Sequence, residues 1–365
     1  MAARRPGTLS LAGGLPLAAL FPRELLGVVS VDAARDRSGA AFQYGWPEGN
    51  EGLRRWIAAD LVRRGAEASA DDVIVTSGAQ QAITLAIGVL PEVTRSIAVA
   101  PETYPGALDA FRRAGALASD ARFAGVSYVV TGVGNPSGID LTRPEREVLL
   151  SSGRFLLEDE AYAELRFDGK PKRPLYADAP ERVFHIGTFS KTLCPGLRVG
   201  WLIAPARFRQ ALLAAKRDAD LEAPTLGQDL LERLLERLDW QEHLARSRRA
   251  YERRIERLMN AVRRHLPGWR FREPEGGFTL YVSSDDASLD EVSVLARATA
   301  LGTSFDPGSL FRPDEQSRPF AMRLSACNVR EESIDAAVAR LARAVGGKSG
   351  EGARMPRRSA RAATP

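Results

Sequence analysis

The stretch "FSKTLCPGLRVGW", residues 189–201, decides how this chain is interpreted. Lys191 directly follows Ser190, precedes a Cys-Pro-Gly turn, and stands seven residues before Arg198 in an otherwise apolar segment. Most lysines lie at the solvated surface, which is the simplest interpretation of any single lysine. A strand end and a Pro-Gly turn would instead hold Lys191 in the crevice of a sheet. A lysine in such a place can form a Schiff base with a carbonyl group.

Apolar strands alternate with helical segments around this stretch. The strand patterns cover 73–75, 96–100, 127–130, 154–158, 183–187 and 199–204, and helices are indicated at 51–65 and 104–115. This alternation predicts an α/β fold, with a mostly parallel sheet and helices on both of its faces. Binding sites in such sheets form beyond the carboxyl ends of the strands. The polar residues in these positions are Ser77 and Gly78, Asn135, Asp159, and Thr188 to Lys191.

Four segments follow from the sequence pattern. Residues 1–45 form an irregular N-terminal arm, 46–224 a large domain, and 225–346 a smaller C-terminal α+β domain. The pattern from about 206 to 264 is that of long helix. The tail, 347–365, has five basic residues and one acidic residue, so it carries +4 of the net charge of +5. We expect this tail to be disordered, with a solubilising role favoured over nucleic-acid binding.

Composition excludes several classes of protein. The 365 residues are 44% hydrophobic and 27% charged, as is usual for a soluble globular protein. No apolar run is long enough to span a membrane. Arg4 and Arg5 precede an apolar run that suggests a secretory signal, but Gly13, Gly14 and Pro16 interrupt it. With only two cysteines, we expect a cytoplasmic protein without a disulfide framework.

The motifs match the needs of pyridoxal 5'-phosphate (PLP), the cofactor that links to a lysine. Its phosphate needs amides, hydroxyls and a cation, and its pyridine nitrogen needs an acidic partner. The "TSGA" turn offers an anion site at a helix N-terminus, and Asp159 ends a buried strand, where a helix cap is the alternative role. The predicted phosphate contacts are Ser77, Gly78, Ala79, Thr188, Ser190 and Arg198.

Taken together, these motifs resemble the class I/II aminotransferases of the fold-type I PLP enzymes. The resemblance is strongest to 2-aminoadipate and kynurenine aminotransferases and to the aminotransferase-like domain of MocR regulators. The matching motifs follow the family's order, from residue 11 to about residue 345. They are "LAGGLP", "YGWPEGNEGLR", "TSGAQQA", "TYPG", "NPSG", "EDEAYAEL", "GTFSKTLCPGLRVGW" and "MRLS".

The resemblance implies a role for each matching position. Lys191 would hold PLP and shuttle a proton, Asp159 would pair with the pyridine nitrogen, and Tyr104 would stack on the ring. Tyr162 and Asn135 would hydrogen-bond the ring's 3' oxygen. Substrate contacts are implied at Gly14, Tyr44, Asn135 and Arg323, with Arg323 gripping the α-carboxylate. Tyr44 would reach the site of a neighbouring subunit, which implies a homodimer with shared active sites.

The chain departs from the family between "TYPG" and "NPSG", where it is shorter by roughly twenty residues. We expect either that a peripheral element of the large domain is missing or that a compensating rearrangement exists. MocR proteins carry an N-terminal winged helix domain for which this chain has no room, so we expect no nucleic-acid partner. The spacing of the three histidines gives no support for a metal site.

Three functions stay open from the sequence. The first is transfer of an amino group between an L-amino acid and a 2-oxo acid. The second is another PLP reaction, such as β-elimination or decarboxylation, because reaction type depends on which bond at Cα stands perpendicular to the ring. The third is a non-catalytic PLP or amino-acid sensor.

Overall fold

The computed structural model describes residues 7–314 and 319–347. Its strands are β1 Leu9–Ser10, β2 Val73–Thr76, β3 Ile97–Ala98, β4 Val126–Val130, β5 Phe155–Asp159, β6 Val183–Thr188, β7 Gly200–Ile203, β8 Arg270–Phe271, β9 Thr279–Ser284, β10 Thr303–Ser304, β11 Asp306–Pro307 and β12 Phe320–Ser325. Its α-helices are α1 Arg23–Arg35, α2 Glu51–Arg63, α3 Ala79–Val89, α4 Pro105–Arg113, α5 Arg143–Ser151, α6 Arg209–Asp220, α7 Thr225–Arg237, α8 Trp240–His265, α9 Glu291–Ala300 and α10 Ile334–Gly346.

A six-stranded sheet forms the centre of the large domain, in the order β2-β7-β6-β5-β4-β3. Strands β3 to β6 are parallel neighbours, and β7 is antiparallel to both β6 and β2. Because β2 and β6 both oppose β7, they point the same way. The carboxyl ends of β2, β4, β5 and β6 therefore meet at one edge. The predicted α/β fold with a mostly parallel sheet is confirmed, with β7 as the exception.

The C-terminal part has its own antiparallel sheet, in the order β11-β12-β9-β8. Its core contains Ile255 of α8, Leu280 of β9, Met322 of β12 and Leu341 of α10. The short β1 of the N-terminal arm pairs with β10, so the arm is anchored to this part of the molecule. The residues of the arm that follow β1 then lead to the edge of the large sheet, where the Gly14 carbonyl contacts Lys191. The domain boundary at 224/225 stays a prediction. Leu231 of α7, which follows this boundary, packs in the same hydrophobic core as Leu53 of α2, which precedes it.

Two features of the helices differ from the sequence expectation. The arm contains α1, which the Gly- and Pro-rich sequence around it did not indicate. The predicted long helix is three helices, α6, α7 and α8. Leu221 has φ 62°, outside the helical region, and Pro224 forms the N-cap of α7. Asp239 then starts α8 by accepting a hydrogen bond from the amide of Glu242.

The connection between α4 and β4 runs from Ala114 to Gly125, and the expected difference from the family in this region stays a prediction. It contains a 3-10 turn at Ala121–Phe123 and one isolated bridge between Ile97 and Leu117. The predicted disordered tail, apart from Gly347, lies outside the described residues, as do Arg4 and Arg5. None of the described helices combines the length and apolarity that a membrane crossing requires.

Candidate active site

A cavity of about 330 Å³ opens where the carboxyl ends of the large sheet face β12. Its walls include most of the residues predicted from the sequence: Gly14, Ala79, Tyr104, Asn135, Asp159, Tyr162, Thr188, Ser190, Lys191, Arg198 and Arg323. The fold therefore gathers residues that lie more than 300 positions apart in the chain. The predicted residues that do not line the cavity are Tyr44, Ser77 and Gly78.

Asp159 is the buried carboxylate of this cavity, with 3% of its surface exposed. It is the last residue of β5. Its Oδ2 accepts a hydrogen bond of 2.7 Å from the Tyr128 hydroxyl, and its Oδ1 accepts one of 3.0 Å from the Ala161 amide. Burial raises the pKa of Asp159, although both hydrogen bonds and the charge of Lys191 act in the opposite direction. A cation in the cavity would favour the ionised form of this carboxylate.

Lys191 lies in the turn that follows β6, directly across the cavity from the N-terminal arm. Its Nζ donates a hydrogen bond of 2.8 Å to the Gly14 carbonyl and stands 5.6 Å from the centre of the Tyr162 ring. Pro195 begins a 3-10 turn after the lysine, so the chain reverses and returns as β7. The Lys191 amine is thus held inside the cavity and does not extend into solvent.

Hydroxyls, a guanidinium and a helix N-terminus converge beside Lys191. Thr188 Oγ1 lies 3.0 Å from Ser190 Oγ, and both residues are buried. Arg198 has φ 55°, a left-handed backbone conformation that is rare for residues other than glycine. Its Nη2 donates a hydrogen bond of 2.8 Å to the Ser77 carbonyl. Gly78 is the N-cap of α3 with φ 92°, and a Cβ there would lie 2.7 Å from Arg198 Nη2. Only glycine suits this approach of backbone to guanidinium.

Ser77 is placed differently from the sequence expectation. Its hydroxyl donates to Asp220 Oδ2 at 3.3 Å, and its amide donates to Gln81 Oε1 at 2.8 Å. Asp220 also accepts from Gln81 and pairs with the fully buried Lys216. A serine hydroxyl has a single proton to donate, so Ser77 supports the turn through this network and is not directed into the cavity.

Arg323 enters the cavity from β12, and its side chain is buried except for 10% of its surface. Its Nε and Nη2 donate to Asp306 Oδ2 at 3.1 and 2.7 Å, and its Nη1 donates to Asn135 Oδ1 at 2.9 Å. The guanidinium carbon lies 4.7 Å from the centre of the Phe311 ring. These contacts fix the orientation of the guanidinium before any ligand is bound.

The aromatic residues divide between the cavity and the surface. Tyr104 is the N-cap of α4, and its burial, together with the nearby Asp159, raises its pKa to about 12. Tyr162 is 5% exposed, and its hydroxyl lies close to Gly14. Tyr44 is 78% exposed, with Phe42 and Trp46 exposed beside it. This exposed aromatic patch, residues 42–46, lies outside the cavity of its own chain.

Besides the cavity-lining Leu15, Val130, Ala161 and Pro195, three polar residues of the site were missed from the sequence. Gln80 lines the cavity and donates to the Gly106 carbonyl at 2.8 Å. Its position at the start of a helix after "TSGA" was a signal that could have indicated it. Tyr128 and Asp306 had no such signal, because each is defined by its contact with a residue on a neighbouring strand, Asp159 and Arg323 respectively.

Comparison with known proteins gives the family of this fold and cavity. The family described as "Aminotransferase class I and II" matches residues 24–341. Aromatic-amino-acid aminotransferase 1 of Thermococcus litoralis is 29% identical, over 92% of this chain and 88% of that protein. The 2-aminoadipate transaminase of Thermus thermophilus is 32% identical, over 94% of this chain and 91% of that protein.

A solved structure agrees with these sequence relatives. The α-aminoadipate aminotransferase of Thermus thermophilus, crystallised with N-(5'-phosphopyridoxyl)-L-leucine, superposes with a TM-score of 0.83 at 31% identity. The match covers 93% of this chain and 92% of the other. The similarity therefore includes both the large sheet and the C-terminal part that carries Arg323.

Proposed function

Since the chain belongs to the aminotransferase class I and II family, whose members use PLP to move an amino group between an amino acid and a 2-oxo acid, we propose that the cavity around Lys191 is where it does so. The observation that carries this proposal is the enclosure of one lysine amine, one buried carboxylate and one buried arginine in a single cavity of about 330 Å³. Each of the three has a separate task in the proposed reaction.

The residues fit PLP. The raised pKa of Asp159 means that burial penalises its charge, and a protonated ring nitrogen would remove that penalty. A phosphate would find the hydroxyls of Thr188 and Ser190, the guanidinium of Arg198, and the amides at the start of α3. When bound, PLP supplies an electrophilic carbonyl carbon and an electron sink.

Lys191 and Asp159 carry the proton chemistry in this proposal. The Nζ of Lys191 would hold the cofactor covalently in the resting enzyme and, once released, take and return the proton of the substrate Cα. Asp159 would hold a proton on the ring nitrogen. The Tyr128 hydroxyl and the Ala161 amide, both donating to Asp159, would keep that carboxylate oriented.

Arg323 is proposed to bind the substrate carboxylate. Its guanidinium is buried, fixed by Asp306 and Asn135, and adjacent to Gly14. A Cβ on Gly14 would lie 3.6 Å from Arg323 Nη2 and 3.4 Å from the Tyr162 hydroxyl, so a larger residue there would occupy space beside the guanidinium. Asn135 would contact both the substrate and the cofactor, because its Oδ1 lies beside the Arg323 guanidinium and its Nδ2 is a hydrogen-bond donor.

We also propose a cytoplasmic homodimer. The exposed aromatic patch at residues 42–46 is what a subunit interface would cover, and Tyr44 would reach the partner's cavity. Mixing a Lys191→Ala variant with a Tyr44→Phe variant should then restore part of the activity, because mixed dimers would contain one intact site. Full activity of a monomer in sedimentation experiments would contradict the shared site. Both cysteines are free and buried, which suits a reducing compartment.

Borohydride reduction followed by peptide mapping tests the assignment of Lys191. The reduced holoenzyme should carry the cofactor on the peptide containing Lys191. The exposed Lys170 supplies a matched control, since Lys170→Ala should keep the label and Lys191→Ala should lose it. A label on another lysine, or one that survives in Lys191→Ala, would remove Lys191 from its proposed role.

A further inference from the structure

Asp306 is an unexpected neighbour for an arginine that binds carboxylates. It stands directly across from Arg323 in the pairing of β11 with β12. One of its oxygens, Oδ2, accepts from both Nε and Nη2 of Arg323. The same carboxylate accepts from the amide of Gly13, at 3.0 Å for Oδ1 and 2.9 Å for Oδ2. Asp306 therefore links the arginine to the arm that crosses the cavity.

The donors of Arg323 can be counted. A guanidinium has five N–H groups, and three of them serve Asp306 and Asn135. One N–H remains on each terminal nitrogen. Two N–H groups are what a bidentate carboxylate contact requires, so Asp306 leaves a single binding edge on Arg323.

We propose that Asp306 is a positioning residue that restricts Arg323 to this edge and offsets its positive charge. The inference rests on the proposed function, in which Arg323 binds the substrate carboxylate. A substrate then meets an ion pair of zero net charge and not a free cation. Substrate and product carboxylates are both held more weakly than an unpaired arginine would hold them, which favours release.

Two opposing effects decide the result of removing the charge of Asp306. Two carboxylates on one guanidinium lie on the order of 6 Å apart, and at an effective dielectric constant of about 20 their repulsion corresponds to roughly a hundredfold in affinity. Loss of positioning acts the other way, because a freed side chain must be ordered again when a ligand binds. In Asp306→Asn the amide oxygen still accepts from Arg323, and Asn135 and Phe311 remain. The Coulomb effect should therefore dominate.

Calorimetric titration of the holoenzyme with 3-phenylpropionate, an amino-acid analogue without an amino group, tests the proposal. Asp306→Asn should bind this carboxylate about tenfold more tightly than the wild type, which is less than the Coulomb effect alone because the loss of positioning offsets part of it. The uncharged 3-phenylpropanamide should bind both proteins equally, because it carries no charge for Asp306 to repel. Asp285→Asn, at an exposed aspartate that pairs with Arg270, should leave both affinities unchanged. Equal or weaker binding of the carboxylate by Asp306→Asn would overturn the proposal.

The Arg323→Ala variant separates this inference from the proposed function. If Arg323→Ala binds 3-phenylpropionate as well as the wild type does, the assignment of Arg323 as the carboxylate site is wrong. If Arg323→Ala loses binding while Asp306→Asn gains nothing, only the role of Asp306 is wrong. A crystal structure of the wild-type complex decides the matter even if the Asp306 variant fails to fold. It should show the ligand on Nη1 and Nη2 with Asp306 still on Nε, and displacement of Asp306 by the ligand would overturn the inference.

Discussion

Replacing Arg323 with lysine keeps the positive charge of the site but removes the planar fork of donors. The ammonium group of lysine is a single point charge, and Asp306 would attract it as it attracts the guanidinium. Asn135 would lose its donor, because one ammonium cannot span the positions that Nε, Nη1 and Nη2 now occupy. The substrate would meet a cation already committed to Asp306.

The expected loss follows from the burial of this pair. Truncating one partner of a buried, hydrogen-bonded charge pair costs about 2 to 5 kcal/mol. Each 1.36 kcal/mol is a factor of ten in rate, so kcat/KM should fall by roughly thirtyfold to a few thousandfold in both half-reactions. PLP affinity should barely change, because the proposed phosphate contacts come from Thr188, Ser190 and Arg198.

The assay measures kcat/KM for an amino acid and for a 2-oxo acid beside PLP affinity by equilibrium dialysis. Arg330→Lys is a matched control, since Arg330 is exposed and pairs only with Glu332 among the described residues. Loss of PLP affinity in Arg323→Lys with unchanged substrate kinetics would refute the reasoning. Arg323 would then belong to the cofactor site or to the structural core.

Further variants test the surroundings of the cavity. Tyr128→Phe should lower turnover about tenfold while leaving the fold intact, because a hydrogen bond to a charged group contributes roughly 1.5 to 3 kcal/mol and Asp159 would lose one; unchanged kcat would show that this bond has no part in the reaction. Ser77→Ala should leave PLP affinity within about twofold, while Ser190→Ala should weaken it, and the reverse order would return Ser77 to the phosphate site. Burial raises the pKa of Glu164 to about 7 from 4.5, so the folded state binds its proton more tightly than the unfolded state does. Its protonation therefore stabilises the fold fully below pH 4.5, and this contribution is lost as pH rises through about 7. In urea unfolding, the free energy of unfolding of Glu164→Gln should therefore rise by roughly 3 kcal/mol relative to that of the wild type between pH 4.5 and pH 8. A difference between the two proteins that does not change with pH would contradict this pKa shift.

The sequence predicted the parts of the fold that local patterns determine. Helix α2 and strands β4 to β6 follow from apolar periodicity and from turns rich in Gly and Pro. The three-helix division between residues 209 and 265 was missed, because continuous apolar periodicity outweighed the helix-breaking signal of Pro224. Helix α1 was missed for the opposite reason, since Gly and Pro near it masked a short helical pattern.

The site was predictable where a residue's role depends on its position along one strand or turn. Asp159 ends β5, Lys191 follows β6 and Arg198 precedes β7, so all three lie at the edge where the parallel strands bring their carboxyl ends together. The partners of these residues were not predictable, because a contact across strands depends on register and side-chain direction. Tyr128 reaches Asp159 from the neighbouring strand, and Asp306 reaches Arg323 across an antiparallel pair. The contact of Ser77 with Asp220 was not predictable for the same reason, since Asp220 approaches it from the end of α6.

Lys191, Asp159 and Arg323 are proposed to perform transamination together, and a single-turnover experiment tests this most directly. The purified PLP form is mixed with each member of a panel of L-amino acids without any 2-oxo acid, and the cofactor is then extracted and identified. For at least one amino acid, the wild type should yield pyridoxamine phosphate and the matching 2-oxo acid in amounts equal to the enzyme sites, while Lys191→Ala should yield neither. Recovery of unchanged PLP with every amino acid, or stoichiometric pyridoxamine phosphate from Lys191→Ala at the wild-type rate, would contradict the account.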